Sequence, residues 1–423
     1  MLPRPAAPAR RPFCPARITP EMTPPPSQQI FDDAYYRDPY ATYARLRAEG
    51  GVHPVLLPDG SPAWIVTTEA EVRAGLTDPL LSVNKQHSGT GFKGFSLPPA
   101  LDANLLNIDA SDHLRLRRLV SKEFTPRRVE NLGDQVQQSC ELLARRLVDR
   151  VTSHGSADLV AELAAPLPLT VVGDLLGVPE HDRAPFAARV SAMLEPQSPA
   201  DAAAAIVGLH EDLLDLIALR RREPDDNLIS GLISVRDEQD RLSENELLSL
   251  AFLILMAGID NTQHVISSGV LTLLQHPDQL EALRADPALL PEAVEELLRY
   301  TTPNHTAIRR FPTTDTKIGS TVVPAGDTVL LCLASAHRDP SRYPDPDRFD
   351  LGRRDKAHLT LGHGLHYCLG APLARLQIRV ALEVIMSSLP RLALALPAEK
   401  LSWRRTFRSH ALKQLPVTLG SVS

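Results

Sequence analysis

The chain has 423 residues, 43% hydrophobic and 23% charged, which is enough apolar surface for a large core and excludes a bulk-disordered or fibrous protein. Acidic residues outnumber basic ones by 51 to 45, and the net charge of -6 excludes a general nucleic-acid binder. There is no signal-peptide pattern, the four cysteines are not paired in spacing, and the longest apolar stretch, around Leu247–Met256, is too short to span a bilayer. We therefore expect a soluble, cytoplasmic protein without a membrane anchor.

The chain begins with a proline-rich segment, residues 1–27, that we expect to be a disordered arm outside the fold. Two apolar runs flank a turn between Pro54 and Thr68, and Thr316–Leu333 repeats this design, so each predicts a small hairpin. Most other segments have helical periodicity, most clearly Asn131–Val151, Ala202–Arg222, Glu246–Gln275, Pro291–Tyr300 and Ala371–Leu389. The predicted fold class is mainly α with a minor antiparallel β part.

The region before the first long helices contains a loop and a basic helix. Ser82–Asn107 has no sustained period, and long ordered loops are often functional. In Asp109–Val129, His113 and Arg117 are four residues apart on one helix face, a spacing suited to a pair of carboxylates. A solvated basic face is the alternative interpretation.

The long helix after Ser243 has polar residues in its apolar middle. Ser243 and Glu246 form a capping-box pattern at its start. Gly258 costs about 1 kcal/mol relative to alanine inside a helix, which usually marks a close approach or a distortion. Asp260 and Asn261 follow it, and they indicate either a polar kink satisfied by water or a functional site.

The most informative segment is the glycine-rich loop Leu361-Gly-His-Gly-Leu-His-Tyr-Cys-Leu-Gly, which leads into an apolar helix. Cys368 lies where that helix begins, so we expect the helix dipole and unpaired N–H groups to lower its thiol pKa. Three interpretations are open: an inert buried cysteine, a zinc site with His363 and His366, and a thiolate ligand to haem iron.

This loop resembles the haem-binding loop of the cytochrome P-450 family, Phe-Gly-x-Gly-x-His-x-Cys-x-Gly, and the resemblance covers nearly all of residues 28–418. It implies the cytochrome P-450 fold, a single large domain, here residues 28–423, that encloses haem b (iron protoporphyrin IX). Cys368 is then the axial iron ligand and His366 a propionate contact. The family's phenylalanine is Leu361 here, and we expect this smaller side chain to alter the reduction potential of the iron.

The resemblance also gives roles to residues that mean little alone. His113, Arg117 and Arg310 correspond to propionate contacts. Glu296 and Arg299, an ordinary i,i+3 pair by spacing, correspond to a structural pair that locks to the segment around Asp347, Arg348 and Phe349.

The oxygen-activation motif of the family aligns with Ala257, Gly258 and Asp260. Its usual threonine is replaced by Asn261, and Thr262 stands one position later, about 100° around the helix. We expect Asp260, Asn261 and a water molecule to relay protons, and we expect activity to be retained.

The resemblance places the substrate in an apolar pocket with few aromatic rings, which fits a bulky hydrophobic molecule. The expected lining residues are Phe92, Phe95, Leu253, Ile254, Ala257, His305, Ile308 and Ala411. Only about fifty residues follow Cys368, so we expect electrons to come from a separate NAD(P)H-dependent ferredoxin reductase and ferredoxin. A basic cluster, which is either the ferredoxin-docking surface or a solvated face, consists of Arg115, Arg118, Lys122, Arg127 and Arg128.

The predicted function is a haem-thiolate monooxygenase that uses dioxygen to hydroxylate or epoxidise a secondary metabolite. A second hypothesis is oxidative cyclisation or coupling without oxygen insertion, which Asn261 favours. A third is a non-enzymatic haem-thiolate binding or sensing protein, and a zinc protein is the most distant alternative.

Overall fold

The computed structural model describes residues 27–89, 91, 97–102, 104–194, 196, 198–239 and 242–420. Of the arm predicted over residues 1–27, only Ser27 lies within this part of the chain. The predicted pocket residues Phe92 and Phe95 also lie outside the described residues.

Helices make up most of the described chain. They are α1 (Asp33–Arg37), α2 (Pro39–Glu49), α3 (Glu69–Thr77), α4 (Pro99–Asp102), α5 (Ala110–Ser121), α6 (Pro126–Asn131), α7 (Gly133–His154), α8 (Pro166–Leu176), α9 (Arg183–Leu194), α10 (Pro199–Arg222), α11 (Leu228–Gln239), α12 (Glu244–Gln275), α13 (Pro277–Ala285), α14 (Leu290–Thr301), α15 (Leu333–Ala336) and α16 (Ala371–Ser388). Each of the five helices predicted from periodicity is present, with ends that differ from the prediction by no more than three residues. A π-helical turn, Val160–Ala164, leads into α8.

The strands are short and form small sheets. They are β1 (Val52–Leu56), β2 (Pro62–Val66), β3 (Leu81–Ser82), β4 (Ala157–Asp158), β5 (Phe311–Pro312), β6 (Thr316–Ile318), β7 (Thr321–Val323), β8 (Val329–Leu331), β9 (Leu392–Leu394) and β10 (Pro416–Leu419). Their order in the sheets is β1-β2-β8, β4-β10-β9, β3-β5 and β6-β7. The predicted class, mainly α with a minor β part, is confirmed.

One predicted hairpin needs correction. β1 and β2 form the expected antiparallel hairpin, and β6 and β7 form another. The run Thr316–Leu333, however, does not stay together, because β8 leaves it and pairs in parallel with β2, with Trp64 opposite Val329. All three residues of β8 are buried, and parallel strands are typically covered on both faces.

Helix α12 connects the two large hydrophobic cores. Ser243 and Glu246 form the predicted capping box at its N-terminus. Residues from Leu247 to Ile259 pack into one core with α9, α10 and α11, whereas Val265 to Leu273 pack into the other with α7, α14 and α16. The polar middle of α12 therefore lies at the junction of the two cores.

The same helix corrects the expectation about apolar length. By length and composition α12 is able to cross a membrane, although the apolar stretch in the sequence suggested otherwise. In the folded chain 72% of its most apolar 18-residue window is buried inside the protein, as in a core helix.

Candidate functional site

A cavity of about 1280 Å³ lies between the middle of α12 and the loop that precedes α16. Binding pockets for small molecules usually measure about 300–1,000 Å³, so this cavity has room for more than one such molecule. Cys368 and His366 line one side, and Ala257, Asp260 and Asn261 line the opposite side. The cavity thus brings together the two motifs that the sequence analysis selected, which are more than 100 residues apart.

The cysteine loop is held in a conformation that needs glycine. Gly362 and Gly364 have φ values of +78° and +70°, in the left-handed region. A Cβ atom on Gly362 would lie 3.0 Å from the carbonyl oxygen of His366, and one on Gly364 would lie 2.8 Å from Thr77 Cγ2. The backbone N–H of Cys368 donates to the carbonyl of Leu361 at 2.7 Å, which closes the loop around the thiol.

The predicted lowering of the Cys368 pKa is wrong for the protein without a bound group. Burial raises the pKa of this thiol, and the Gly370 backbone N–H and the charges of Arg117 and Arg375 offset only part of that rise. Desolvation therefore outweighs the helix dipole. A coordinated metal cation would supply the charge that makes the thiol deprotonate.

Two buried polar side chains beside this loop each have one nitrogen atom without a partner among the described residues, although Arg310 Nη1 donates to the Leu81 carbonyl. His113 is 1% exposed and Arg310 is 4% exposed, and neither His113 Nδ1 nor Arg310 Nε has a hydrogen-bond partner among the described residues. The His113 ring centroid lies 4.3 Å from that of His366. Buried polar groups are nearly always hydrogen-bonded, so these atoms indicate a ligand with acceptor oxygens.

The electrostatics at this end of the cavity favour an anion. Burial and the charges of Arg117 and Arg310 lower the pKa of His113 to about 4, and burial, Arg310 and His113 lower that of His366 to about 3. Both rings are thus neutral near pH 7. Burial also lowers the pKa of Arg310, to about 10, which leaves it a cation. Arg117 lines the same end, so the residues predicted as propionate contacts meet in one place.

The glycine in the middle of α12 has a specific neighbour. A Cβ atom on Gly258 would lie 2.6 Å from Val172 Cγ2, so the glycine permits the close approach of α8. Thr262 is buried and its hydroxyl donates to the Gly258 carbonyl at 3.3 Å. Asn261 and Thr262 both line the cavity, but the Thr262 hydroxyl already donates within the helix.

Asp260 has two basic neighbours that the sequence analysis missed. Arg404 Nη1 donates to Asp260 Oδ1 at 3.0 Å, and His264 Nε2 lies 3.3 Å from the same oxygen without hydrogen-bond geometry. Burial lowers the pKa of His264 to about 4 despite the nearby carboxylate. The i,i+4 spacing of Asp260 and His264 was a usable signal, but nothing in the sequence pointed to Arg404.

The Glu296–Arg299 pair is completely buried and tied to the following segment. Arg299 Nε and Nη2 each donate to the Glu296 carboxylate at 2.8 Å, with both side chains 0% exposed. Arg299 also donates to the carbonyls of His337, Pro346 and Arg348. Glu296 Oε1 in turn accepts from the Asp350 N–H and from Arg353. Arg299 thus contacts the segment expected from the resemblance, and it does so through the backbone carbonyls of that segment.

The predicted substrate pocket is partly corrected. Leu253, Ile254, Ala257 and Ile308 line the cavity. His305 and Ala411 do not, because both are buried behind it. The His305 ring packs against Tyr40 and Tyr43, and its Nδ1 lies 3.1 Å from the Tyr43 hydroxyl.

The zinc interpretation has no ligand set. Within the part of the chain that the structure describes, no group of three or more His, Cys, Asp or Glu side chains is arranged to hold a metal ion. Cys368 is a single thiol facing a wide cavity. A site of this form suits a metal that brings most of its own ligands with it.

Comparison with known proteins agrees with this geometry. The family model described as "Cytochrome P450" (cytochrome P-450) matches residues 201–390. The cytochrome P-450 monooxygenase PikC of Streptomyces venezuelae is 45% identical over 90% of this chain and 91% of its own. The 6-deoxyerythronolide B hydroxylase of Saccharopolyspora erythraea is 40% identical over 92% and 97%. The solved structure of the tirandamycin C-bound monooxygenase TamI superposes with a TM-score of 0.84 at 41% identity, covering 92% of this chain and 99% of that one.

Proposed function

Since the chain belongs to the cytochrome P-450 family, and is thus a monooxygenase that uses haem b, we propose that it hydroxylates or epoxidises a bulky, mainly apolar small molecule of secondary metabolism. The observation that carries this proposal is the placement of Cys368 opposite the Asp260–Asn261 segment across one large cavity. The names of the relatives support the substrate class, since one is a hydroxylase of 6-deoxyerythronolide B and another was solved with tirandamycin C.

The residues around the cavity fit the haem. Cys368 would supply the thiolate ligand to the haem iron, and His113, Arg117, Arg310 and His366 would hold the propionates. The unpartnered His113 Nδ1 and Arg310 Nε are donors suited to carboxylate oxygens. When bound, the haem supplies the iron at which dioxygen is reduced and from which one oxygen atom is transferred to the substrate.

Proton delivery is the role we assign to the middle of α12. The Asp260 carboxylate accepts protons and passes them on, and Arg404 holds it in one orientation through Nη1. The Asn261 amide has two donors and an acceptor, so it is able to hold a water molecule in the cavity where the family's threonine hydroxyl would otherwise act. The Thr262 hydroxyl takes no part, because it is bonded to Gly258.

We also propose that a ferredoxin, reduced by an NAD(P)H-dependent reductase in the cytoplasm, delivers the electrons to this enzyme. Two residues of the basic cluster are already ion-paired, Arg115 with Glu246 and Arg128 with Asp226. Arg118, Lys122 and Arg127 are exposed, and they are the cations that an acidic protein would contact.

The test is a spectrum followed by turnover. The reduced, carbon monoxide-bound protein should show the red-shifted Soret band of a thiolate-ligated haem, and Cys368→His should abolish that band while haem stays bound. Turnover with a surrogate ferredoxin system and ¹⁸O-labelled dioxygen should then place one labelled atom in the product. A normal spectrum with an unlabelled, cyclised or coupled product would favour the second candidate, which the presence of Asn261 at the cavity wall supports.

A further inference from the structure

The wall of the cavity is more cationic than an apolar substrate requires. Among the described residues that line it, eight are Lys or Arg and two are acidic, Asp102 and Asp260. Both acids already face a cation, since Asp102 is ion-paired with Lys85 and Asp260 with Arg404. Arg117 and Arg310 lie at the end of the cavity near Cys368. The remaining positive charge lies at Arg309 and in the loop from Arg404 to Lys413.

Arg408 is the member of this group for which the described part of the chain offers no partner. No described carboxylate lies within ion-pair distance of its guanidinium, and no described residue accepts a hydrogen bond from it. Its side chain is accessible because it faces the cavity. The surrounding protein lowers its pKa, and the charge of Asp260 opposes that shift in part. Arg408 is thus an exposed cation without an ion-pair partner among the described residues, and it lies beside Asp260, whose own charge Arg404 already balances.

Arg309 brings a second positive charge to the same place. It also lines the cavity, and burial followed by the charge of Arg408 lowers its pKa, whereas the Asp59 carboxylate opposes that shift. Two like charges in a partly desolvated wall repel each other, and an anion between them would turn that repulsion into attraction.

The loop that carries Arg408 is fixed before any ligand binds. The Arg408 carbonyl accepts from the His305 N–H at 2.8 Å, and the Arg408 N–H donates to Thr406 Oγ1 at 3.2 Å. At the base of the loop Trp403 stacks on His410, with ring centroids 3.7 Å apart. A backbone held in this way positions the guanidinium without a large ordering cost on binding.

We propose that Arg408 and Arg309 form a subsite for a carboxylate, and that the substrate of this enzyme is an amphiphilic organic acid. The apolar body of the acid contacts the Leu253, Ile254 and Ile308 side of the cavity, and its carboxylate contacts the two guanidinium groups. The inference deepens the proposed function, on which it rests, by giving the substrate class a charge.

The experiment compares two probes that differ only in charge, dodecanoate and methyl dodecanoate. Binding to the haem-loaded protein is measured by calorimetry and by titration of the Soret band. Wild-type protein should bind dodecanoate at least about tenfold more tightly than methyl dodecanoate, as expected for one charge-assisted contact in the cavity. Arg408→Gln should remove this preference by weakening dodecanoate alone, and Arg309→Gln should reduce it.

Arg405→Gln is the matched control. Arg405 lies in the same loop, but its guanidinium is 2.7 Å from Asp33 and stacks over the Tyr36 ring, so its loss should leave the preference unchanged. Equal affinities of the wild type for acid and ester would overturn the proposal, as would an Arg405→Gln variant that loses the preference as fully as Arg408→Gln does. An intact carbon monoxide spectrum and turnover without acid preference would refute only the subsite. Acid preference without the spectrum or turnover would refute the proposed function instead.

Discussion

Arg404 donates a hydrogen bond to Asp260, which lies 144 residues earlier in the chain. Arg404 belongs to the loop that follows the short 3₁₀ helix Ala398–Lys400, and Asp260 lies in the middle of α12. The contact ties the carboxylate that we assign to proton delivery to the same loop that carries Arg408. The arginine that orients the proton-delivering carboxylate and the arginine proposed to bind the substrate carboxylate therefore lie on one loop.

Replacement of Asp260 tests the proton relay. Asp260→Asn keeps the shape of the side chain and removes the carboxylate that accepts and releases protons, so coupled product formation should fall by at least about tenfold while hydrogen peroxide per NAD(P)H consumed rises. Asn261→Thr should keep coupling near the wild-type value, because it restores the hydroxyl common in the family. An Asp260→Asn enzyme with unchanged rate and coupling would show that protons arrive by another route.

The buried Glu296–Arg299 pair predicts a large stability effect. Glu296→Gln leaves Arg299 with a neutral partner in a fully buried site and should lower the free energy of unfolding by about 3–5 kcal/mol. Denaturant unfolding of the haem-loaded protein measures this. Arg379→Ala breaks an exposed i,i+4 pair with Glu383 and should change stability by no more than about 0.5 kcal/mol. Similar losses in the two variants would contradict the buried-pair argument.

The unpartnered donors at the Cys368 end predict weaker haem retention. Arg310→Ala and His113→Ala should each speed haem transfer to an excess of apomyoglobin about tenfold or more, the effect of losing one hydrogen bond to a charged group. Arg309→Ala removes the arginine that precedes Arg310 in the chain, and it should leave the rate of haem transfer unchanged. If all three variants released haem at the wild-type rate, the propionate assignment would be wrong.

His337 predicts a pH dependence of stability. Burial, followed by the charges of His358 and Arg299, holds its pKa well below 6.5, and both ring nitrogens are engaged, Nδ1 2.8 Å from Thr302 Oγ1 and Nε2 accepting from the Leu359 N–H at 2.7 Å. Below pH 6.5 the unfolded chain binds a proton that the folded chain does not, so stability is complete above pH 6.5 and falls on acidification.

The slope that one such histidine adds is about 1.4 kcal/mol per pH unit. His337→Gln should flatten the profile of unfolding free energy between pH 6.5 and 5 by that amount, even though its stability at pH 7 is lower. The exposed His87→Gln should leave the slope as it is. A slope unaffected by His337→Gln would mean that the ring already titrates normally in the folded protein.

Leu361 predicts a shift in reduction potential. Its side chain is buried next to the thiol, and its carbonyl accepts from the Cys368 N–H. Leu361→Phe adds apolar bulk that excludes water from the sulfur, so the thiolate donates more charge and the iron potential should fall by something on the order of tens of millivolts. Spectroelectrochemistry measures it, and a rise in potential would reverse the argument.

Local patterns in the sequence were enough to predict the helices and the Cys368 loop. The loop is readable because its glycines and cysteine are contiguous, and the helices because burial repeats every three to four residues. The roles of Arg404 and Arg408 were not predictable. The partner of Arg404, Asp260, lies 144 residues away, and the position of Arg408 in the cavity wall depends on the folded loop. The pairing of β8 with β2 and the burial of His305 likewise depend on tertiary packing. The prediction of a lowered Cys368 pKa failed for an energetic reason. The sequence shows that the thiol lies at a helix N-terminus, but it does not show the desolvation that opposes the effect of the helix.

The sheet β4-β10-β9 and the contact between Tyr35 and Phe407 have a consequence for biosynthesis. β10 supplies the central strand between β4 and β9, and the Tyr35 hydroxyl donates to the Phe407 carbonyl. Residues near positions 35 and 157 therefore form these contacts with residues beyond position 400, which are synthesised much later. A ribosome-bound chain has to hold these early segments unpaired until the late ones emerge, so this part of the fold closes only after most of the chain has been translated.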